Sequence, residues 1–219
     1  ELLLDISRRI SAMDSLDAVL KMLVETATSR LNAERGSLFL NDPNTNELYS
    51  RVAMGNFMRE IRILNTNGIA GYVFTTGEGV IIPDAYADSR FNRNIDEQTG
   101  FVTRNILCVP IKTAKGQIMA VAQILNKKKG RFNREDMRLL AEMMKQGAPS
   151  LQSLQFIEQM ETIRKQELEF INVVSEMTSD IKLGSLLQNV MAEATRMLNA
   201  ERSTLFLHDE KSDELWSEV

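Results

Sequence analysis

The sequence predicts an α+β domain whose sheet is built mostly of hairpins, followed by a long helix and the start of a second copy of the same domain. Three observations predict it. Short β-rich runs separated by turn-forming clusters lie between two stretches with helical spacing. A regular apolar stripe then runs from about residue 139 to residue 177. Finally, residues 31–52, LNAERGSLFLNDPNTNELYSRV, return at 198–219 as LNAERSTLFLHDEKSDELWSEV. Leu31 and Leu198 stand 167 positions apart, and so do Leu16 and Leu183, Val19 and Leu186, and Leu20 and Leu187. The repeat divides the chain into a complete copy at 1–148, a connecting helix at 149–177 and the N-terminal part of an incomplete second copy at 178–219.

The elements follow in order. Leu16, Val19, Leu20, Leu23, Val24 and Ala27 mark a helix over 15–31 with one buried face. Ser37–Leu40 and Leu48–Ala53 read as strands joined by the turn Asp42-Pro43-Asn44-Thr45-Asn46. Glu60–Leu64 alternates and reads as another strand. Asn67-Gly68-Ile69-Ala70-Gly71 opens a short helix reaching Phe74, and Val80–Ile82 is a brief strand ended by Pro83. Residues 84–104 are polar and turn-rich, without clear secondary structure. Tyr86, Phe91, Ile95 and Phe101 are interleaved there, so the segment can pack as a lid over a ligand pocket. Asn105–Lys112 and Ile118–Asn126 are apolar strands around the turn Ala114–Gln117. Asn133 caps a further helix, with Glu135 and Asp136 at its positive end. Gly147 and Pro149 are expected to kink or break it near residue 148. Beyond them the narrow apolar stripe suits a dimer seam.

Composition narrows the function. The chain has 219 residues, 43% apolar and 26% charged, as an ordinary soluble protein does, and its net charge of −4 offers no field for nucleic acid or an anionic membrane. No apolar run approaches the ~18 residues needed to cross a bilayer. The N-terminal ELLLDISRRI lacks the marks of a signal peptide. Cys108 is the single cysteine, so no intrachain disulfide forms and a cytoplasmic location is expected. His208, the one histidine, lies in the incomplete copy, which leaves the complete copy without a Ser/His or Cys/His nucleophilic pair. Cys108 sits inside the strand ILCVPI and reads as a structural thiol. No Cys, His and carboxylate cluster has metal-ligand spacing. Gly68–Gly71 lacks the lysine of a triphosphate loop. The small residues at that helix start instead let backbone N–H groups approach an anion, so the residues alone imply a lidded pocket for an anionic ligand.

The strings ERGSLFL, NGIAGYVFTTGEGVIIPDAYADSRFNRNIDEQTGFVTRNILCVPIK and VAQILNKKKGRF resemble a cyclic-nucleotide-binding GAF domain. The resemblance runs from about Leu16 to Leu140 and restarts near Leu183. The duplication resembles the tandem GAF regions of cyclic-nucleotide phosphodiesterases and cyanobacterial adenylyl cyclases. It implies a central antiparallel sheet flanked by helices, with a long connecting helix. It also implies a regulatory module, not itself an enzyme, that senses cAMP, forms a homodimer through the connecting helix and GAF domains, and signals to an adenylyl cyclase domain.

The family signature is N-K, a gap, F, three residues, then D-E. Asn126, Lys127, Phe132 and Asp136 match it, and Met137 replaces the final Glu. The resemblance implies that Lys127 and Asp136 brace the pocket through a salt bridge. It implies that Ser37 faces purine and ribose, and that Ile69 and Ala70 hold the cyclic phosphate through backbone N–H groups. Asn92 offers backbone to the phosphate, and Asp96, Thr99 and Thr103 reach base and ribose. Gln123 stands where some relatives have glutamate. A guanine-selective relative carries an aromatic and then an acid where this chain has Ala53 and Met54. Methionine cannot accept guanine's protons, and each buried donor left unpaired costs about 1–3 kcal/mol, so cAMP is favoured over cGMP. The alternatives are a cGMP-binding module and a GAF dimerisation module that binds nothing.

Overall fold

The computed structural model describes residues 2–51, 61–179, 183–209 and 212–217. Ala53 and Met54, on which the choice of base rests, lie outside the described residues, as does Val219 at the end of the repeat. The chain divides into two compact units, Glu1–Glu158 and Gln159–Val219.

The first unit begins with α1 (Leu2–Ser11), a helix the sequence reading did not include. It buries Ile6 and Ile10 one helical turn apart. α2 (Leu16–Arg30) follows and buries the stripe its spacing predicts. β1 (Ala33–Asp42) extends to both sides of the expected strand. The Asp42 carboxylate accepts the Asn44 N–H, and Asn46 takes a φ of 55°, which turns the chain into β2 (Glu47–Ser50). Then come β3 (Ile61–Leu64), α3 (Gly68–Thr76), β4 (Val80–Ile82), α4 (Arg93–Thr99), β5 (Ile106–Lys112), β6 (Ile118–Lys127) and α5 (Arg134–Ser179). α4 lies within the segment expected to lack secondary structure. Its boundaries are local: the Asn92 side chain caps it by accepting the Asn94 N–H, and Gly100 ends it at a φ of 65°.

The six strands form one antiparallel sheet in the order β3-β2-β1-β6-β5-β4. Its two faces read directly from the period-2 alternation of the strands. Leu38, Leu40, Leu107, Val109, Ile111, Ala120, Ala122 and Ile124 pack with α1, α2 and α5. Phe39, Ile106, Cys108 and Val121 point the other way and pack with α3 and the Ala85 loop. Both faces are covered, which is why β5 and β6 read as near-continuous apolar runs. Each Leu or Ile fully buried here contributes about 1.5–3 kcal/mol of transfer free energy.

α5 is not broken near residue 148: it continues through Pro149 to Ser179. Pro149 removes the N–H that would bond the Lys145 carbonyl. The buried face spanning that point, with Leu140, Met143, Met144, Ala148 and Leu151 in the core, offsets the loss. Gly147 lies hard against α2, since a Cβ there would come within 2.6 Å of Leu23 Cδ1.

The second unit contains α6 (Leu183–Met197) and a hairpin of β7 (Leu207–Asp209) and β8 (Glu214–Trp216). Both ends of α6 fall 167 positions after those of α2. Left-handed φ values recur at that offset too, 50° and 49° at Asn32 and Asn199, 55° and 54° at Asn46 and Asp213.

The Gly147–Leu23 contact gives a double-mutant test. Leu23→Ala should cost about 2–5 kcal/mol by urea unfolding, the usual loss for an emptied core site. Adding Gly147→Ala puts a methyl group into part of that void, so the double variant should be more stable than the two single losses predict by at least about 0.5 kcal/mol. Strict additivity would mean that the two side chains do not share the space.

Candidate functional site

The floor of the site is the face of the sheet opposite α2 and α5. Arg35, Ser37 and Phe39 alternate onto it from β1, and Gln123 and Leu125 from β6. Ser37 pairs in register with Gln123, which pairs on its other side with Cys108. Gln123 thus lies mid-sheet inside the apolar run from Ile118 to Leu125. α3 and β3 form one wall and the segment from Ala85 to Thr103 closes the top. Together they enclose a cavity of about 90 Å³.

All eight residues expected to contact a ligand line this one cavity: Ser37, Ile69, Ala70, Asn92, Asp96, Thr99, Thr103 and Gln123. They differ in how far their polar groups are already used. Among the described residues, the Ser37 hydroxyl and the Gln123 amide form no hydrogen bond. The first bond of α3 runs from the Gly71 N–H to the Asn67 carbonyl at 3.1 Å, so the N–H groups of Ile69 and Ala70 are helix-start donors without an intrahelical partner. Only glycine fits at position 71, where a Cβ would come within 2.6 Å of the Thr66 carbonyl carbon. That contact presses the start of α3 onto the loop before it.

The lid residues, by contrast, bond to one another. Buried Asp96 accepts the Thr103 hydroxyl on Oδ1 at 2.7 Å, and the Thr103 N–H and the Tyr86 hydroxyl on Oδ2 at 2.7 and 3.0 Å. The bond to Asp96 raises the Tyr86 pKa above its ordinary value, because the carboxylate holds the phenolic proton. The Thr99 hydroxyl donates to the Ile95 carbonyl at 2.8 Å, and Asn92 caps α4. The Ala85 N–H donates to the Arg104 carbonyl at 2.8 Å, so the two ends of the lid meet. The Tyr86 and Phe91 rings lie 5.3 Å apart, and the Arg90 guanidinium lies 4.3 Å from the Tyr72 ring of α3.

The lid's C-terminal end is fixed by the bracing residues. Asn126 is fully buried at a φ of 58°. Its Oδ1 accepts the N–H groups of Arg104 at 2.6 Å and Asn105 at 3.4 Å, while its Nδ2 donates to Glu34 and to the Val102 carbonyl, both at 2.8 Å. Glu34 also pairs with Arg104 at 2.6 Å. The bond from Arg104, then that from Asn126, holds the Glu34 carboxyl below its ordinary value. Next along β6, the Lys127 ammonium pairs with Asp136 on the first turn of α5, and the two side chains are 17% and 14% exposed, which takes the pair out of the fully solvated class. Asp136 also accepts the Asn133 N–H while Asn133 Oδ1 accepts the Asp136 N–H, a reciprocal cap. The Phe132 ring is buried with the Lys127 ammonium 5.9 Å from its centroid.

One feature escaped the sequence reading. Arg35 lines the cavity with its guanidinium 4.0 Å from the centre of the Phe101 ring, and among the described residues it pairs with no carboxylate. The signal was its place two residues before Ser37, hence on the same face. Phe91, Ile95 and Phe101, apolar residues expected to let the lid pack, line the cavity from above. Cys108 is completely buried and burial pushes its thiol pKa up, the opposite of an activated nucleophile. Among the described residues no three His, Cys, Asp or Glu side chains gather as a metal site, and no helix is long and apolar enough to cross a membrane.

Comparison with known proteins places residues 15–151 on the family model described as GAF domain. The chain is 39% identical over 147 residues to the "Probable 3',5'-cyclic phosphodiesterase pde-5" of Caenorhabditis elegans, covering 61% of this chain and 20% of that protein. It is 31% identical over 217 residues to the "Dual 3',5'-cyclic-AMP and -GMP phosphodiesterase 11" of Drosophila melanogaster, covering 90% and 15%. It thus spans a quarter or less of these relatives' length. Among solved structures, the GAF domain of a phosphoenolpyruvate-protein phosphotransferase from Coxiella burnetii matches with a TM-score of 0.64 at 19% identity, covering 71% of this chain and 94% of that one. A free methionine-R-sulfoxide reductase from Neisseria meningitidis matches at 0.61 and 18%, covering 72% and 90%. At these identities the structures share the fold.

The Asn126 hub yields two measurable effects. Asn126→Ala should lose about 2–4 kcal/mol in chemical unfolding, because buried partners are left unpaired. Asn126→Gly, which keeps the left-handed backbone unstrained, should recover only a minor part of it. Glu34 adds a pH effect. Its pKa is depressed on folding, so its contribution is present above the ordinary value of 4.5 and lost as pH falls through the lower folded value. The stability gap between the parent and Glu34→Gln should therefore be widest near neutrality and close on acidification below about 4.5.

Proposed function

This chain belongs to the GAF domain family, and from that premise we propose that its complete domain is a regulatory cyclic-nucleotide sensor that binds cAMP between the sheet, α3 and the lid. The observation that carries this reading is that the eight positions implied by the family resemblance line one cavity, with free donors at the start of α3. The cyclic phosphate meets the N–H groups of Ile69 and Ala70, where a helix start favours an anion. Ser37 and Gln123 contact ribose and base from the floor, and Arg35 offers donors to the ring nitrogens of the purine. Asp96, Thr99, Thr103 and Asn92 serve from the lid. The phosphodiesterase relatives support a cyclic nucleotide as the ligand class.

The present cavity is well below the roughly 300–1,000 Å³ of typical ligand sites, so binding requires the lid to move. The lid's internal bonds are then exchanged for ligand bonds, and the difference sets how far the equilibrium shifts. Asp96 already accepts three bonds, which leaves about one of its four lone-pair positions. That position suits a single N–H from adenine's amino group better than the adjacent pair of donors on guanine. The absence of an acid at positions 53 and 54 agrees. cGMP is the second reading, favoured by the dual-nucleotide name of one relative.

Transmission is proposed to run from Gln123 along β6 to the Lys127–Asp136 pair, and through it to α5. Phe156, Met160, Ile163 and Phe170 recur on α5 at heptad spacing and are 48% to 70% exposed, which supports a homodimer seam along the connecting helix. The second unit is proposed as the beginning of another GAF domain, supported by the offset of α6 from α2 and the matching left-handed residues. The output is a cytoplasmic enzyme domain elsewhere in the parent protein. The sequence resemblance favours an adenylyl cyclase there, whereas the relatives' names favour a phosphodiesterase.

The deciding experiment is mass spectrometry of what the heat-denatured protein releases, followed by calorimetric titration. The expected results are cAMP near one per complete domain, binding at least about tenfold tighter than cGMP, and about tenfold weakening in Asp96→Asn, equivalent to ~1.4 kcal/mol. A protein that releases nothing and takes up neither nucleotide would reduce the domain to a dimerisation module.

A further inference from the structure

A second, larger hollow lies on the other side of the first unit, away from the nucleotide cavity. It occupies about 730 Å³ between α5, the end of β5 and the β5–β6 turn, within the range of small-molecule sites. One wall is Val109, Pro110 and Ile111 of β5. The other is a single face of α5, presenting Met137, Ala141, Ala148 and Pro149. The hollow exists because β4 stops short: its pairing with β5 ends at Val80 opposite Cys108. Pro110, two residues further, has no N–H to offer another strand. Pro149 on the opposite wall likewise lacks a donor. A peptide adding to the sheet edge would find the ladder interrupted, so the surface suits a compact apolar body instead.

Its rim is cationic. Lys112 and Lys145 both border the hollow, and among the described residues neither ammonium pairs with a carboxylate. These two unpaired ammonium groups bring positive charge to the edge of an apolar cleft. An apolar cleft with a positive rim complements a molecule with an apolar body and one negative end.

We propose that this hollow is a second ligand site, for a small aliphatic or aromatic monocarboxylate. The hydrocarbon lies against Pro110, Met137, Ala141 and Pro149, and the carboxylate meets Lys112 and Lys145. Because α5 forms the wall, occupancy acts on the same helix as the nucleotide cavity while using none of its residues. The two inputs therefore use separate residues and are joined through α5 and through β5, which borders both cavities.

The test is titration of the full chain with decanoate below its micellar range, followed by amide chemical shifts and calorimetry. Saturable one-to-one binding is expected, with shifts concentrated at residues 109–116 and 141–152 and with the same stoichiometry under saturating cAMP. Decanol should bind at least about tenfold more weakly, a loss of about 1.4 kcal/mol. Lys112→Gln combined with Lys145→Gln should weaken decanoate to a similar extent, and Ala141→Trp, at an exposed position, should block it. Circular dichroism checks that each variant is folded, and the two lysine substitutions carry the test if the tryptophan variant is not. The proposal is overturned by non-saturable binding, by equal affinity for decanol, by shifts centred on Ser37 and Gln123, or by self-association that covers the hollow while excluding decanoate. None of these results depends on whether the first cavity takes cAMP.

Discussion

The position of the lid, the first strand and the start of α5 all trace back to the buried amide of Asn126. An asparagine side chain offers two donors and two acceptor positions, and here all are used across three segments: Glu34 on β1, Val102 and Arg104 at the end of the lid, and Asn105 before β5. No other neutral side chain of that length supplies both halves. The following residue, Lys127, then reaches Asp136, whose second role is to cap α5. Sheet, lid and exit helix are thus registered by two consecutive side chains at the end of one strand. Removing either member leaves buried partners whose desolvation is no longer compensated, which is why such networks hold geometry more than they add net stability.

The site itself follows from a sheet buried on both faces. One face is committed to α1, α2 and α5, and its buried core is formed by Leu38, Leu40, Leu107, Val109, Ile111, Ala120, Ala122 and Ile124. The other is only partly filled by α3, and the lid spans the gap. Polar residues on that face, Ser37 and Gln123, are tolerated because the cavity, not packed hydrocarbon, lies in front of them. The division of labour between a rigid floor and a lid bonded chiefly to itself is what a binding domain needs if occupancy is to alter its shape.

Much of this was legible in the sequence. The strands of β5 and β6 announced themselves as apolar runs, and the cap at Asn133 and the small helix start at Gly68–Gly71 were written locally. What could not be read depended on distant partners. α1 has only Ile6 and Ile10 fully buried, so its helix was visible only once the core it meets was in place. α4 is too short for periodicity to reveal it, and its cap and terminal glycine were hidden in polar text. Pro149 signalled a break that tertiary packing of the flanking residues overrides. Arg35 lay outside the expected strand Ser37–Leu40, and its partner Phe101 stands sixty-six positions later in the chain.

The bond between the Ala85 N–H and the Arg104 carbonyl joins the two ends of a twenty-residue excursion at its root. A loop whose feet touch can be exchanged without changing the spacing of the strands that carry it. The lid can then vary as a cassette: the sheet and frame stay constant while the chain between those two residues is rewritten, and with it the lid's share of the ligand contacts.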